Sequence, residues 1–402
     1  MRSKARGKWT CLVSIVPILL LLLAAGPARA VLTQCPPGAT WISPGQAGTG
    51  NVVCMHITGG DGFTYMGDGY EQYLLSFGHV TPGVPDAQVL ANYTLKATFP
   101  APTIVLKEGQ ELYLTMTNVG MTMRPDLFDP HSVHWHGFKN AAPIFDGLPE
   151  PSPTANMGAS FTYYYKARHP GTFFYHCHVE AAEHMQMGMI GNLWVLPAQN
   201  ELPDSTVFPN GFIHIQGNKY AYNDGDGSTY YDREFAVQLT GFDPAFHDAS
   251  LFVQPLPFAA MEDKYPMING RGYPDTINPN PILNRDGFAA QPMHARISAN
   301  AGEKILLRVS NISTTDFFTI TTTLGVPMKV VGNGAQILRS PTGQDLSYET
   351  FILNTAGGEH YDVILNTAGV PQGTYFLYTT DLKFLSNNQQ ERGGLMTEIV
   401  IN

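Results

Sequence analysis

Residues 111–117, Glu111-Leu112-Tyr113-Leu114-Thr115-Met116-Thr117, alternate apolar side chains with polar or amphipathic ones. That is the period of a strand with one buried face. Further along, Phe161-Thr162-Tyr163-Tyr164-Tyr165 and Gly171-Thr172-Phe173-Phe174-Tyr175 concentrate the aromatic and β-branched residues that strands favour. No long segment repeats at the helical period, and 40 glycines and 30 prolines supply the turns. The pattern predicts an all-β protein of sandwiches or barrels. The stretch up to about Gly83 reads as loop-rich, with the strands following it.

The 402 residues, 44% hydrophobic and 14% charged, suffice for two sizeable cores and exclude a disordered or collagen-like chain. Residues 1–30 read as a signal peptide: Arg2, Lys4, Arg6 and Lys8 precede the apolar run Cys11 to Ala25, and Ala28 and Ala30 suit a peptidase cut. The apolar run is shorter than the roughly 20 residues a membrane span needs. Export to the periplasm or outside the cell is expected. The polar, Pro-bearing link Leu196 to Pro203 divides the rest into domains 31–200 and 201–402. Gly302-Glu303-Lys304 opens a strand at Ile305 to Val309 much as Glu108-Gly109-Gln110 opens the one at 111–117, which suggests duplication of one fold.

The net charge is −10, and the cations of the export segment make the remainder more acidic still. Nucleic acid is therefore excluded as a default partner. Cys35 and Cys54 enclose a short loop and are expected to pair in an oxidising compartment, leaving Cys177 without a partner. Asn223-Asp224-Gly225-Asp226-Gly227 lacks the distal glutamate of a calcium loop and reads as a polar turn. The glycines at 45, 48 and 50 have no strand-to-helix context for a phosphate.

Six of the 13 histidines fall in two clusters. In His131-Ser132-Val133-His134-Trp135-His136-Gly137, alternate strand residues share a face, so His134 and His136 point together and His131 points the other way. In His176-Cys177-His178 the two imidazoles share a face opposite the thiol. Downstream stand Glu180, His184 and Met189. A thiolate, two imidazoles and a thioether form the ligand set of a blue-copper site, and Cys177, His131, His184 and Met189 supply it. His56, His79, His169, His214, His247, His294 and His360 lack such partners and read as ordinary structural or surface histidines.

These motifs, with Phe99 to Ile104, Asp146-Gly147 and Gly171 to His178, resemble the cupredoxin domains of the multicopper oxidases, the laccase superfamily that also contains the copper nitrite reductases. The second half, through Ile268-Asn269-Gly270, Leu306 to Asn311 and Gly358 to Val363, is similar to their copper-free middle domain. The resemblance implies two Greek-key β-sandwich domains of cupredoxin type. It further implies a type 1 copper on His131, Cys177, His184 and Met189, a type 2 copper on His134, and a type 3 pair on His136, His176 and His178. Asp146 and Glu180 are similar to acids linked in that family to proton delivery.

Cys177 and His184 are seven positions apart, between the laccase and nitrite reductase spacings, which leaves Met185 and Met187 as alternatives to Met189. The family's trinuclear cluster uses eight histidines, twice what the paired motifs here provide, so a homo-oligomer is expected to complete it. The resemblance implies an exported oxidoreductase that passes electrons from a small reducing substrate (a phenol, a metal ion or a redox protein) to dioxygen. A nitrite reductase-like enzyme and a non-catalytic copper or electron carrier are the alternatives. Against the reductase, His134 stands where that family keeps its catalytic aspartate.

Overall fold

The computed structural model describes residues 31–139 and 141–402; the export segment lies outside the described residues. Between residues 40 and 196 the chain forms two sheets. One joins Thr40–Trp41, Val52–Tyr65, Glu71–His79, Glu111–Gly120 and Ser160–Lys166, and the other Ala101–Lys107, Ile190–Leu196, Gly171–His176 and His134–His136. Leu112, Leu114 and Met116 point inward as their alternation predicts, into a core with Ile104, Trp135, Tyr163 and Leu193. Thr115 and Thr117 depart from that alternation and are also buried. The segment starting at Val31 covers their face, and their hydroxyls pair with Thr162 at 2.9 Å and Ser160 at 2.7 Å.

The largest correction concerns residues before Gly83. Val52–Tyr65 and Glu71–His79 are long paired strands, with every position of Val53–Thr64 buried. A strand covered on both faces shows no alternation, and Gly59, Gly60 and Gly62 in its interior resemble a loop signal. They mark close approaches instead: a Cβ on Gly59 would lie 2.8 Å from the His131 ring, and one on Gly62 3.2 Å from Ala97. Cys35 and Cys54 form a disulfide, and Cys177 is free and buried.

Residues 219–401 repeat the arrangement. Arg233–Phe242 pairs in parallel with Lys304–Asn311, as Val52–Tyr65 does with Glu111–Gly120. Ile297–Ala299 pairs in parallel with Met396–Ile401, as Ala101–Lys107 does with Ile190–Leu196. The second core gathers Val237, Leu307, Val309, Ile320, Val363 and Ile399. Among the described residues the longest helices, Asp86–Tyr93 and Pro244–Leu251, have eight residues each, and none is long and apolar enough to cross a membrane. In the 223–227 turn the Asp224 carboxylate accepts from the backbone N–H groups of Asp226, Gly227 and Thr229 and from the Thr229 hydroxyl. Its acceptor capacity is used locally.

The halves meet on apolar residues, Phe99, Phe174 and Ile190 from the first and Phe242, Met267 and Ile312 from the second. Beside them lies a polar lock. Arg308, fully buried, pairs with Glu234 at 2.8 Å and Asp362 at 3.4 Å. It also donates to the Thr172 hydroxyl at 3.1 Å, which in turn donates to Asp362 at 2.6 Å. Thr172 lies on the Gly171–His176 strand, so the lock fixes the strand that delivers His176.

Candidate metal centre

Two donor groups stand on either side of the segment His176-Cys177-His178. In the first, ligand atoms of His131, Cys177 and His184 lie within 4.8 Å of one another, all buried. His131 precedes its strand rather than lying on it; a backbone bridge to Ala155 holds it there, and the strand itself is only His134–His136. His184 comes from the short helix Ala181–Gln186. The Cys177 sulfur faces His184 Nδ1 at 3.2 Å and accepts from the Ser132 N–H at 3.4 Å. Burial alone would raise the Cys177 thiol, but His184 and His131 outweigh it and hold it down to about 5. His184 is raised: burial works against its charge, and the Cys177 thiolate and Asp129 overcome it.

Asp129, which the sequence pattern did not single out, accepts from His184 Nε2 at 3.0 Å. With that nitrogen occupied, Nδ1 is the one left facing the sulfur, an outer-shell contact that sets the orientation of a ligand. Met189 is fully buried, and its methyl lies 3.4 Å from the Cβ position of Gly59, beside His131. Met187 is buried in the same core. Met185 packs instead against the Phe99 and Phe174 cluster and lines the other donor group.

That second group is a four-histidine cavity of about 560 Å³. The His134 ring centroid is 6.2 Å from His136, 5.2 Å from His176 and 5.2 Å from His178. His134 Nδ1 donates to the Asp146 carbonyl at 2.6 Å, and His176 Nδ1 donates to the Cys177 carbonyl at 2.8 Å. Because a carbonyl only accepts, each Nδ1 carries the proton and each Nε2 keeps its lone pair. Burial holds His134 below its ordinary value, His136 down to about 4 and His176 down to about 3. Their ring nitrogens are therefore free for a metal at neutral pH. The Asp146 carboxylate lies 3.5 Å from His134 Nδ1.

Glu180 departs from the sequence expectation. Its backbone is left-handed (φ 46°) where the chain turns into the Ala181–Gln186 helix. That turn carries the carboxylate to within 4.8 Å of ligand atoms of Asp129 and His184, so it faces the thiolate group and does not line the histidine cavity. His360, read as an ordinary histidine, packs at 6.3 Å from His136 with both ring nitrogens buried and unpartnered. Only the fold brings this second-half residue beside His136.

The donors suit copper. A thiolate, two imidazoles and a nearby thioether form a soft set, and neutral imidazoles alone suit the same metal. Both His131 ring nitrogens are buried without a hydrogen bond, which costs about 1–3 kcal/mol and is relieved by a bound cation. Two outcomes follow. Gly59→Ala is expected to displace His131 and so shift the visible band of the copper-loaded protein; an unchanged band would show that His131 is not a ligand. In the copper-free protein, the depressed histidines leave stability fully present above their ordinary 6.5 and lost as pH falls through about 4 for His136 and about 3 for His176. Thermal denaturation across that range checks the sign.

The family model described as multicopper oxidase matches residues 83–200. The chain is 30% identical to Multicopper oxidase MCE of Talaromyces pinophilus over 130 residues, 32% of this chain and 20% of that protein. It is 23% identical to L-ascorbate oxidase of Cucurbita pepo var. melopepo over 297 residues, 70% of this chain and 46% of that protein. The chain thus spans less than half the length of these curated relatives. Among solved structures, a blue copper oxidase from Nitrosomonas europaea superposes with TM-score 0.61 at 21% identity, covering 87% of this chain and 86% of that one. A copper nitrite reductase from the same organism gives 0.53 at 16% identity, covering 87% and 93%. These two likenesses establish the cupredoxin fold. The similarity to the family model described as multicopper oxidase is confined to residues 83–200, the half that carries both donor groups.

Proposed function

We propose that the chain is an exported copper oxidoreductase that takes electrons singly from a small donor and delivers them to dioxygen, forming water. The observation that carries this reading is the position of Cys177 between His176 and His178, which joins the two donor groups through one short stretch of covalent chain. When bound, copper would accept one electron at a time at the thiolate group and activate dioxygen at the histidines.

The protein's own residues prepare both sites. Asp129 orients His184, and the carbonyls of Asp146 and Cys177 orient His134 and His176. The Asp146 carboxylate, 3.5 Å from His134 Nδ1, stands beside the cavity as a proton-delivery group in this reading. His184 is fully buried, and the exposed Glu180 beside it marks the edge at which a donor would approach in this reading. A phenol, a metal ion or a small redox protein would serve as donor. His134, His136 and His178 stay partly exposed, and together with the buried His176 they supply half the histidines of a trinuclear cluster. A second copy of the chain is proposed to complete it across a twofold axis. The Cys35–Cys54 disulfide supports an oxidising compartment.

The test is copper per chain, with visible and paramagnetic resonance spectra and the solution mass of the same sample. An intense blue band with between two and three coppers per chain in a dimer supports the shared cluster. Two paramagnetic coppers with a nitrite-sensitive type 2 signal would replace it with the reductase, and a single blue copper would leave an electron carrier.

A further inference from the structure

The histidine cavity has a second wall, built by Ser313 to Phe317 and Ala356 to Gly358 of the second half. Behind it lies Asp263, only 2% exposed. Its Oδ1 accepts from Gln186 Nε2 at 2.7 Å, and its Oδ2 accepts from the Ser313 hydroxyl at 3.1 Å. Ser313 lines the cavity, and its oxygen also accepts from the Asp316 N–H at 2.9 Å. We propose that Asp263 is a buried proton store for the histidine cavity, discharging through the Ser313 hydroxyl. The proposal rests on the oxidase reading above.

Among the described residues no cation pairs with this carboxyl. The charged groups facing it are themselves acids, Asp316 in the cavity wall and Asp243 at the start of the Pro244–Leu251 helix. The nearby cation, Lys383, is spent on Asp316 at 3.9 Å, where Glu262 and Asp381 add further negative charge. Burial first, and Asp316 second, push Asp263 up to about 7. A position needing only an acceptor for Gln186 and Ser313 is served by an amide at far lower cost than a buried, uncompensated carboxylate. What an amide lacks is a proton to release.

The step is a proton transfer. The Asp263 O–H bond breaks as the Ser313 oxygen takes that proton and passes its own to a water or an oxygen-derived group in the cavity. The carboxylate left behind is reloaded from solvent past the half-buried Asp316. Each dioxygen converted to two waters takes four electrons from the reducing donor and four protons, and the relay moves protons alone.

The test compares wild type, Asp263→Asn, Asp263→Glu and Ser313→Ala. In the copper-free protein, infrared difference spectra should show a protonated carboxyl titrating near 7 that Asp263→Asn removes. In the copper-loaded protein, Asp263→Asn and Ser313→Ala should slow dioxygen reduction roughly a hundredfold below pH 7, the low end for a positioned acid, and abolish its fall across pH 7. Anaerobic reduction of the blue band by the donor should not change, and Asp263→Glu should restore the profile. A wild type that consumes dioxygen while the two variants keep its pH profile would overturn the relay alone, as would a carboxyl that does not titrate there. If Asp263→Asn fails to fold, Ser313→Ala decides. A copper-loaded wild type that consumes no dioxygen would overturn the oxidase reading and the relay with it.

Discussion

Cys177→Ser is expected to abolish the blue absorption and donor-driven dioxygen uptake while leaving the fold intact. The serine hydroxyl keeps hydrogen-bonding partners in His184 and the Ser132 N–H, so the buried site is not orphaned. What disappears is the thiolate, the soft ligand that selects copper there. Activity should fall by more than about a hundredfold, since even outer-shell changes cost a metal site 10- to 100-fold. The backbone carbonyls that orient His134 and His176 are untouched, so copper bound to the histidine cavity should persist in the paramagnetic resonance spectrum. Retained blue colour in Cys177→Ser would show that the thiolate group is not the electron entry.

The second large effect is on stability. Trp135 sits between His134 and His136, fully buried, stacked on Tyr165 at 3.7 Å and edge-on to Phe138 at 4.8 Å. Trp135→Ala should cost about 3–5 kcal/mol by leaving a cavity in the first core. The loss should reach function too, because the same three-residue strand aims both histidines. Denaturant unfolding of the copper-free protein gives the first number, and copper titration gives the second. Trp135→Phe should cost much less, since it keeps an aromatic face and removes a buried indole N–H that has no partner. A loss below about 1 kcal/mol in the alanine variant would mean the site collapses around the gap, contrary to the rigid packing argued here.

What was legible in the sequence is what depends on local spacing. The alternation at Leu112, Leu114 and Met116 reports a half-covered strand. The clusters at 131–137 and 176–178 report donors on defined faces, because a strand turns each successive side chain over. Where a residue's role depends on its surroundings, spacing misleads. The Val52–Tyr65 strand lacks a period because both faces are covered. Glu180 sits two residues beyond His178, yet one left-handed residue turns it toward the other donor group. Asp129, Asp263 and His360 have no motif; they matter through contacts made 50 or more positions away or across the halves, which only the folded chain displays.

The lock of Arg308, Glu234, Thr172 and Asp362 bears on how such chains can be recombined. A duplicated ancestor would have held two halves free to be exchanged. Here, removing the second half strips Thr172 of its acceptor, and removing the first leaves a buried guanidinium facing a new surface. Arg308, Glu234 and Asp362 travel together with the second half, so a grafted first half must supply the hydroxyl at position 172, and a crossover inside the second half that parts Arg308 from its acids carries an unpaired ion into the seam, a loss of about 3–5 kcal/mol. Shuffled libraries should therefore survive mainly where crossovers keep residues 172, 234, 308 and 362 from one parent, so the seam acts as a unit of inheritance.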